Sequence, residues 1–277
     1  MRIAYTVWTW MKDEFGRNWI PTENAASNFA AAAEEIASLG YDAIENFNFI
    51  VPAYENNPEE LDALMKKTGL KFVNIYHSLN DGYDIDMEGA ERCCKFMQKH
   101  DIPWLNVQAA RVPNDKPVTH ELLDELCREL NDMGKLCKKY VVTLCLHPHA
   151  RSWVETEWQT DYVAAHTDPG DVKFCLDTCH LVLGGLDPVA AFEKYMDRIA
   201  YVHFKDVIGD YKKPYPESPT ENARPLGQGI VDYPGVMKVL KAHNYDGVIC
   251  VEVDYPHPDS YTAAKISREY IRDVLGL

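Results

Sequence analysis

The chain has 277 residues, 46% of them hydrophobic and 26% charged, which suits a folded protein with a large core and excludes general disorder. Its formal net charge of −15 and isoelectric point near 5.1 give no general attraction to phosphate backbones or anionic lipid, so neither nucleic acid nor membrane is expected as a partner. Its apolar runs fall short of the roughly 18 residues a membrane span needs, MRIAYTVW lacks the pattern of a secretory leader, and a cytoplasmic protein is expected.

Taken in chain order, the sequence alternates short apolar runs with amphipathic ones. IAYTVW opens as a strand and 24–39 follows as an alanine-rich helix closed by Gly40. YDAIENF precedes a helix near 58–67, KFVNIYH one near 87–100, and PWLNVQA one at 118–139. VVTLCLH is followed by a helix near 157–167, VKFCLD by one near 187–196, IAYVHF by one near 234–243, and GVICVEV by one at 260–274. Unbroken strand–helix alternation implies a parallel sheet, and this many units in one series predict a single (β/α)8 TIM barrel domain over 1–277. An open dinucleotide-binding sheet is the alternative, but no G-x-G-x-x-G follows the first strand and no phosphate-binding G-x-x-x-x-G-K-[ST] occurs. The long connection 207–233, rich in Pro, Gly and charge, reads as a wall or lid over an active site.

Barrel enzymes work at the C-terminal ends of their strands, so what each strand ends on matters. Strand two ends on Glu45, three on His77, four on Asn106 and Gln108, and five on His147 and His149. Strand six ends on Asp177, seven on His203 and Lys205, and eight on Glu252 with Asp254. One histidine at a strand end is ordinarily a hydrogen-bonded core or surface residue. Successive strands ending on His, Asp, His and Glu point instead to a divalent metal, and oxygen and imidazole donors suit Mn²⁺, Mg²⁺, Co²⁺, Fe²⁺ or Zn²⁺. The eight cysteines read as reduced core thiols; Cys175 and Cys179 lack the second pair that a zinc ribbon or finger would have.

LCLHPH, CLDTCHL, YVHFKD, RPLGQGIVDYPGV and DGVICVEVD, in this order, resemble the xylose isomerase-like TIM-barrel superfamily of sugar isomerases, epimerases and dehydratases. The closest resemblance is to the inosose dehydratase-like proteins and to the metal-containing subunits of C-glycoside deglycosidases. The motifs fall in the second half of the chain, and the architecture covers all of it. The resemblance implies a metal held by Asp177, His203, Glu252 and a fourth group. That group is either His147 or Glu155 reaching back from the strand-five loop; a third carboxylate suits a hard, exchangeable ion such as Mn²⁺ and favours Glu155. A carboxylate in the first turn of the helix beginning at VETEW is also explained by helix capping alone.

Chelation of a ketone and a neighbouring hydroxyl acidifies the adjacent C–H, and the reaction then needs a positioned base and acid. His147 and His149 are the acid–base candidates, with Glu45 and Lys205 as partners; His77, Asn106, His180, Trp10 and Arg224 are candidates for holding a carbohydrate. The same deprotonated intermediate leads to elimination, isomerisation or epimerisation, and the resemblance favours elimination from an inosose, keto-sugar or 3-keto-glycoside. Endonuclease IV-like barrels share the fold but need a basic groove that a charge of −15 does not supply. A barrel subunit that is incomplete without a small β-rich partner is the non-catalytic alternative, and a homo-oligomer is compatible with the sequence.

Overall fold

A computed structural model describes residues 1–11, 24–79, 82–111, 117–208, 222–256 and 258–277. Its strands are β1 (Arg2–Thr6), β2 (Ala43–Phe47), β3 (Lys71–Ser78), β4 (Trp104–Gln108), β5 (Thr143–Leu146), β6 (Val172–Asp177), β7 (Ile199–Phe204), β8 (Asp206–Val207), β9 (Ala223–Arg224) and β10 (Val248–Val251). The helices are α1 (Ala25–Ser38), α2 (Val51–Tyr54), α3 (Pro58–Thr68), α4 (Tyr83–Lys99), α5 (His120–Lys139), α6 (Glu157–His166), α7 (Thr178–Leu183), α8 (Pro188–Tyr195), α9 (Tyr233–Ala242) and α10 (Ser260–Tyr270).

Eight parallel strands close in the order β1-β10-β7-β6-β5-β4-β3-β2, which is the (β/α)8 barrel expected from the alternation. Strands such as VICV are buried on both faces because helices cover the outside, and that is why they read as continuous apolar runs. Helix α5 shows how the outer layer attaches. Leu123, Leu126, Cys127, Leu130, Met133 and Cys137 recur at helical spacing and are buried, while Thr119 caps the N-terminus by accepting from the Leu122 amide at 3.4 Å. Burial of each such leucine contributes about 1.5–3 kcal/mol. Among the described residues no helix is long and apolar enough to cross a membrane.

The long connection after β7 is tied down at its base. β8 and β9 pair antiparallel, and the Ile208 amide donates to the Asn222 carbonyl at 3.0 Å. The Asp206 carboxylate accepts from the amides of Gly227 at 2.9 Å, Gly229 at 2.8 Å and Val231 at 3.2 Å. A Cβ at position 229 would overlap Asp206 Oδ1, so this cradle requires glycine. Of the connection expected as a wall or lid, residues 209–221 lie outside the described residues.

Two stability predictions follow from local structure. Val141, which ends the turn after α5, has φ +61° and is 84% exposed; a β-branched side chain is strained there and nearly all of it faces water. Val141→Asn or Val141→Gly is expected to raise unfolding free energy by about 1 kcal/mol in urea melts. On α5, burial and then the neighbouring Asp86 push the Glu129 carboxyl up to about 7 from an ordinary 4.5. The folded state therefore keeps a proton that the unfolded chain releases, so this contribution is complete below pH 4.5 and lost as pH rises to about 7. Glu129→Gln is expected to flatten that fall in stability, measured by melts on either side of the window.

Candidate metal centre

Alternation along a barrel strand sends every second side chain inward, and parallel register then sets which inward residues meet. Asp177 of β6 pairs in register with His203 of β7, and His203 with Cys250 of β10. His147 follows β5, and Glu252 follows β10. Ligand-type atoms of His147, Asp177, His203 and Glu252 all lie within 4.8 Å of one another, and the four residues are buried. Burying titratable groups this deeply is costly unless each is paired.

Each of the four is held from behind by its other heteroatom. His147 Nδ1 lies 3.0 Å from the Tyr76 hydroxyl, which donates to Gln108 Oε1 at 3.0 Å. With that hydroxyl proton committed to Gln108, Nδ1 carries the ring proton and Nε2 keeps its lone pair. Asp177 Oδ1 accepts from the His180 amide at 2.8 Å. His203 Nε2 donates to Glu45, with its oxygens at 3.0 and 3.1 Å. Glu252 Oε1 accepts from the Trp8 indole at 3.0 Å.

The front atoms are the ones left over. His147 Nε2, Asp177 Oδ2 and His203 Nδ1 are buried and make no hydrogen bond. Both ring nitrogens stand 3.7 Å from Asp177 Oδ2, too far for a hydrogen bond, and Glu252 Oε2 stands 3.1 Å from His203 Nδ1. Two imidazole nitrogens and two carboxylate oxygens that converge with their rear atoms tethered fit a divalent cation. Burial alone would raise the Asp177 carboxyl, but His180 and Lys205 outweigh it and hold it well below the usual carboxylate range. Burial is likewise overcome at Glu252, chiefly by Lys205 and His203, so both acids are ionised.

Beside this group, Lys205 is buried with its Nζ 2.7 Å from Asp254 Oδ1, 3.3 Å from Glu252 Oε2 and 3.4 Å from His180 Nε2. Burial disfavours its charge, yet Asp254 and Glu252 more than compensate and keep it an ammonium. The His149 ring lies tilted by 35° against His180 with centroids 3.6 Å apart, and its Nδ1 donates to the Ala150 carbonyl at 2.7 Å. Burial, then His147 and Lys205, push His149 down to about 3, so its ring is neutral with Nε2 unprotonated.

The remaining sequence candidates are distributed around this centre. Glu155 is not among the residues that converge; its amide donates to Gln159 Oε1 at 2.8 Å, and it is His147 that stands with Asp177, His203 and Glu252. Glu45 lies behind His203 as its hydrogen-bond partner. His77 faces away from the centre, with Nδ1 2.8 Å from Asn48 Nδ2 and its ring so close to Gly89 of α4 that a Cβ there would come within 2.9 Å. Asn106 points into the barrel and donates to Cys175 Sγ at 3.4 Å. His180 accepts from the Ala150 amide at 3.3 Å and lies beside Lys205. Trp10 donates to Glu35 of α1 at 2.8 Å; Trp8 is the tryptophan that reaches the centre. Arg224, on β9, donates to the Ala223 carbonyl at 2.7 Å. Tyr76, which sequence reading passed over, and Trp8 tether the centre. Period-two alternation held the signal for Tyr76, because a strand that sends Asn74 inward sends Tyr76 there too and His77 the other way.

A family model described as "Xylose isomerase-like TIM barrel" matches residues 33–274. The inosose dehydratase of Lactiplantibacillus plantarum is 26% identical over 298 aligned residues, covering 96% of this chain and 93% of that protein. That of Geobacillus kaustophilus is 28% identical over 265, covering 86% and 84%. Among solved structures, the IolI protein with a binding zinc atom superimposes with a TM-score of 0.79 at 17% identity, over 100% of this chain and 98% of that one.

The tether on His147 is testable by itself. Tyr76→Phe removes the oxygen that fixes the imidazole tautomer and is expected to weaken divalent-ion binding by about 10- to 100-fold. Calorimetric titration of the variant against the parent checks this, and an unchanged affinity would show that the ring is oriented by packing alone.

Proposed function

Because the chain belongs to the xylose isomerase-like TIM barrel family and is an enzyme of carbohydrate chemistry, we propose that it is a divalent-metal-dependent lyase of keto-sugars. It removes a proton next to the ketone of an inosose, keto-sugar or 3-keto-glycoside and then eliminates a β-oxygen or β-aglycone. The observation that carries this reading is the convergence of three buried, hydrogen-bond-free donor atoms beside a neutral histidine and a buried ammonium. The relatives named inosose dehydratase align over most of both chains, which favours elimination over isomerisation or epimerisation.

In this reading His147, Asp177, His203 and Glu252 hold the ion, with His147 rather than Glu155 as the fourth ligand, and Mn²⁺ is the ion we assign. Bound there, it would polarise the ketone and help to carry the negative charge left by deprotonation. Glu45 acts behind the site, keeping His203 in the tautomer that presents Nδ1. His149 takes the proton from carbon on Nε2, since its Nδ1 proton is held by the Ala150 carbonyl. Its imidazolium then returns that proton to the departing oxygen, the C–O bond breaks, and a hydroxyl leaves as water from an α,β-unsaturated ketone. Lys205 remains charged throughout and stabilises the oxygen on which charge develops, so it is an electrostatic partner and not the base.

Incubation with inososes and keto-sugars in deuterium oxide with Mn²⁺ is expected to put deuterium next to the ketone and to release a dehydrated product. His149→Gln should slow both by roughly 100- to 10,000-fold while leaving Mn²⁺ affinity within a few-fold of the parent. Exchange with a rearranged but undehydrated product would identify an isomerase or epimerase. Exchange undiminished in the variant would remove His149 from the mechanism.

A further inference from the structure

Three of the four strands that supply the proposed ligands also supply a cysteine two residues earlier. The pattern reads Cys145-Leu-His147, Cys175-Leu-Asp177 and Cys250-Val-Glu252, with Tyr201 in the same position before His203. Since residues two apart share a face, these thiols form a layer directly beneath the ligand layer. All three are fully buried and reduced, and they pack with Tyr201 among the small side chains Ala4, Ala43, Val73 and Val248.

The layer is not chemically closed off from the centre above it. Ligand-type atoms of Cys175, His147 and His203 lie within 4.8 Å of one another. Asn106 Nδ2 donates to Cys175 Sγ at 3.4 Å, a contact that orients the sulfur. Cys250 forms a comparable group with Glu45 and His203, but there the histidine nitrogen facing Glu45 is already committed to that carboxylate at 3.0 Å. One thiolate and two imidazoles make a softer donor set than two imidazoles and two carboxylates.

We propose that the barrel holds a second, deeper cation position, formed by Cys175 with His147 and His203, which takes a thiophilic divalent ion such as Cd²⁺. It rests on the reading of His147 and His203 as ligands of the upper site. Because those histidines are shared, and two divalent charges this close repel, the two positions are mutually exclusive. A soft ion displaces the activating one by sinking a layer into the barrel.

The test uses the full chain stripped of metal by chelation and titrated with Cd²⁺. The expected result is an ultraviolet thiolate-to-cadmium charge-transfer band that saturates near one equivalent, with a cadmium NMR resonance shifted towards thiolate ligation. Cys175→Ser should abolish the band, Cys250→Ser should retain it, and Cd²⁺ should displace Mn²⁺ followed by its electron paramagnetic resonance signal. A wild-type cadmium resonance typical of nitrogen and oxygen donors alone would overturn the proposal, and that measurement stands even if Cys175→Ser does not fold. A band that survives in Cys175→Ser or is lost in Cys250→Ser would also overturn it. Failure of the four-ligand reading has a different signature: no bound Mn²⁺ signal while the cadmium band still forms, which supports the deeper position alone.

Discussion

The structure depends on holding four buried titratable side chains face to face, close enough that His203 Nδ1 and Glu252 Oε2 stand 3.1 Å apart. It does this by occupying the rear heteroatom of each: Tyr76 behind His147, the His180 amide behind Asp177, Glu45 behind His203 and Trp8 behind Glu252. Three of the four rear partners come from β1 to β3 or the turn after β1, while all four front groups come from the second half of the chain. Trp8 and Glu252 are 244 residues apart, Glu45 and His203 158. Closure of the sheet, with β1 beside β10, is what joins the two halves, so the donor geometry exists only in the completed barrel. A site assembled in this way is organised by folding itself, and the cost of desolvating its members falls there.

The same environment produces opposite outcomes for two neighbouring bases. Burial works against charge on both His149 and Lys205, but Lys205 has Asp254 and Glu252 within reach and stays cationic, whereas at His149 burial, with His147 and Lys205 nearby, outweighs the Ala150 carbonyl and the ring stays neutral. One proton acceptor and one fixed positive charge are thereby kept side by side, a division set by partners and not by depth.

Much of this was legible in the sequence because a parallel barrel converts periodicity into position. Apolar runs gave the strands, their polar last residues gave Asp177, His203, Glu252 and Lys205, and the structure brings those together. What was not legible depends on direction and reach. Whether His77 or Tyr76 faces inward is a matter of phase by one residue, and two polar residues in succession obscure the phase. Choosing between His147 and Glu155 requires knowing how the strand-five loop turns, and the loop commits the Glu155 amide to Gln159 at the start of α6. Trp8 and Trp10 lie in one short 3-10 turn, and only its orientation decides that one meets Glu252 and the other Glu35. The extra hairpin of β8 and β9 is two residues per strand, too short for periodicity to register.

The hydrogen bond from Ile208 to Asn222, with the Asp206 cradle just beyond it, sets what the connection can tolerate. Both ends of the segment between those residues are fastened at a single point on the rim, so the barrel is indifferent to how much chain intervenes. Lengthening such an excursion is thermodynamically gentle, about 0.6 kcal/mol for each doubling. Segments of different length or sequence can therefore be spliced between those two residues at little cost to the barrel.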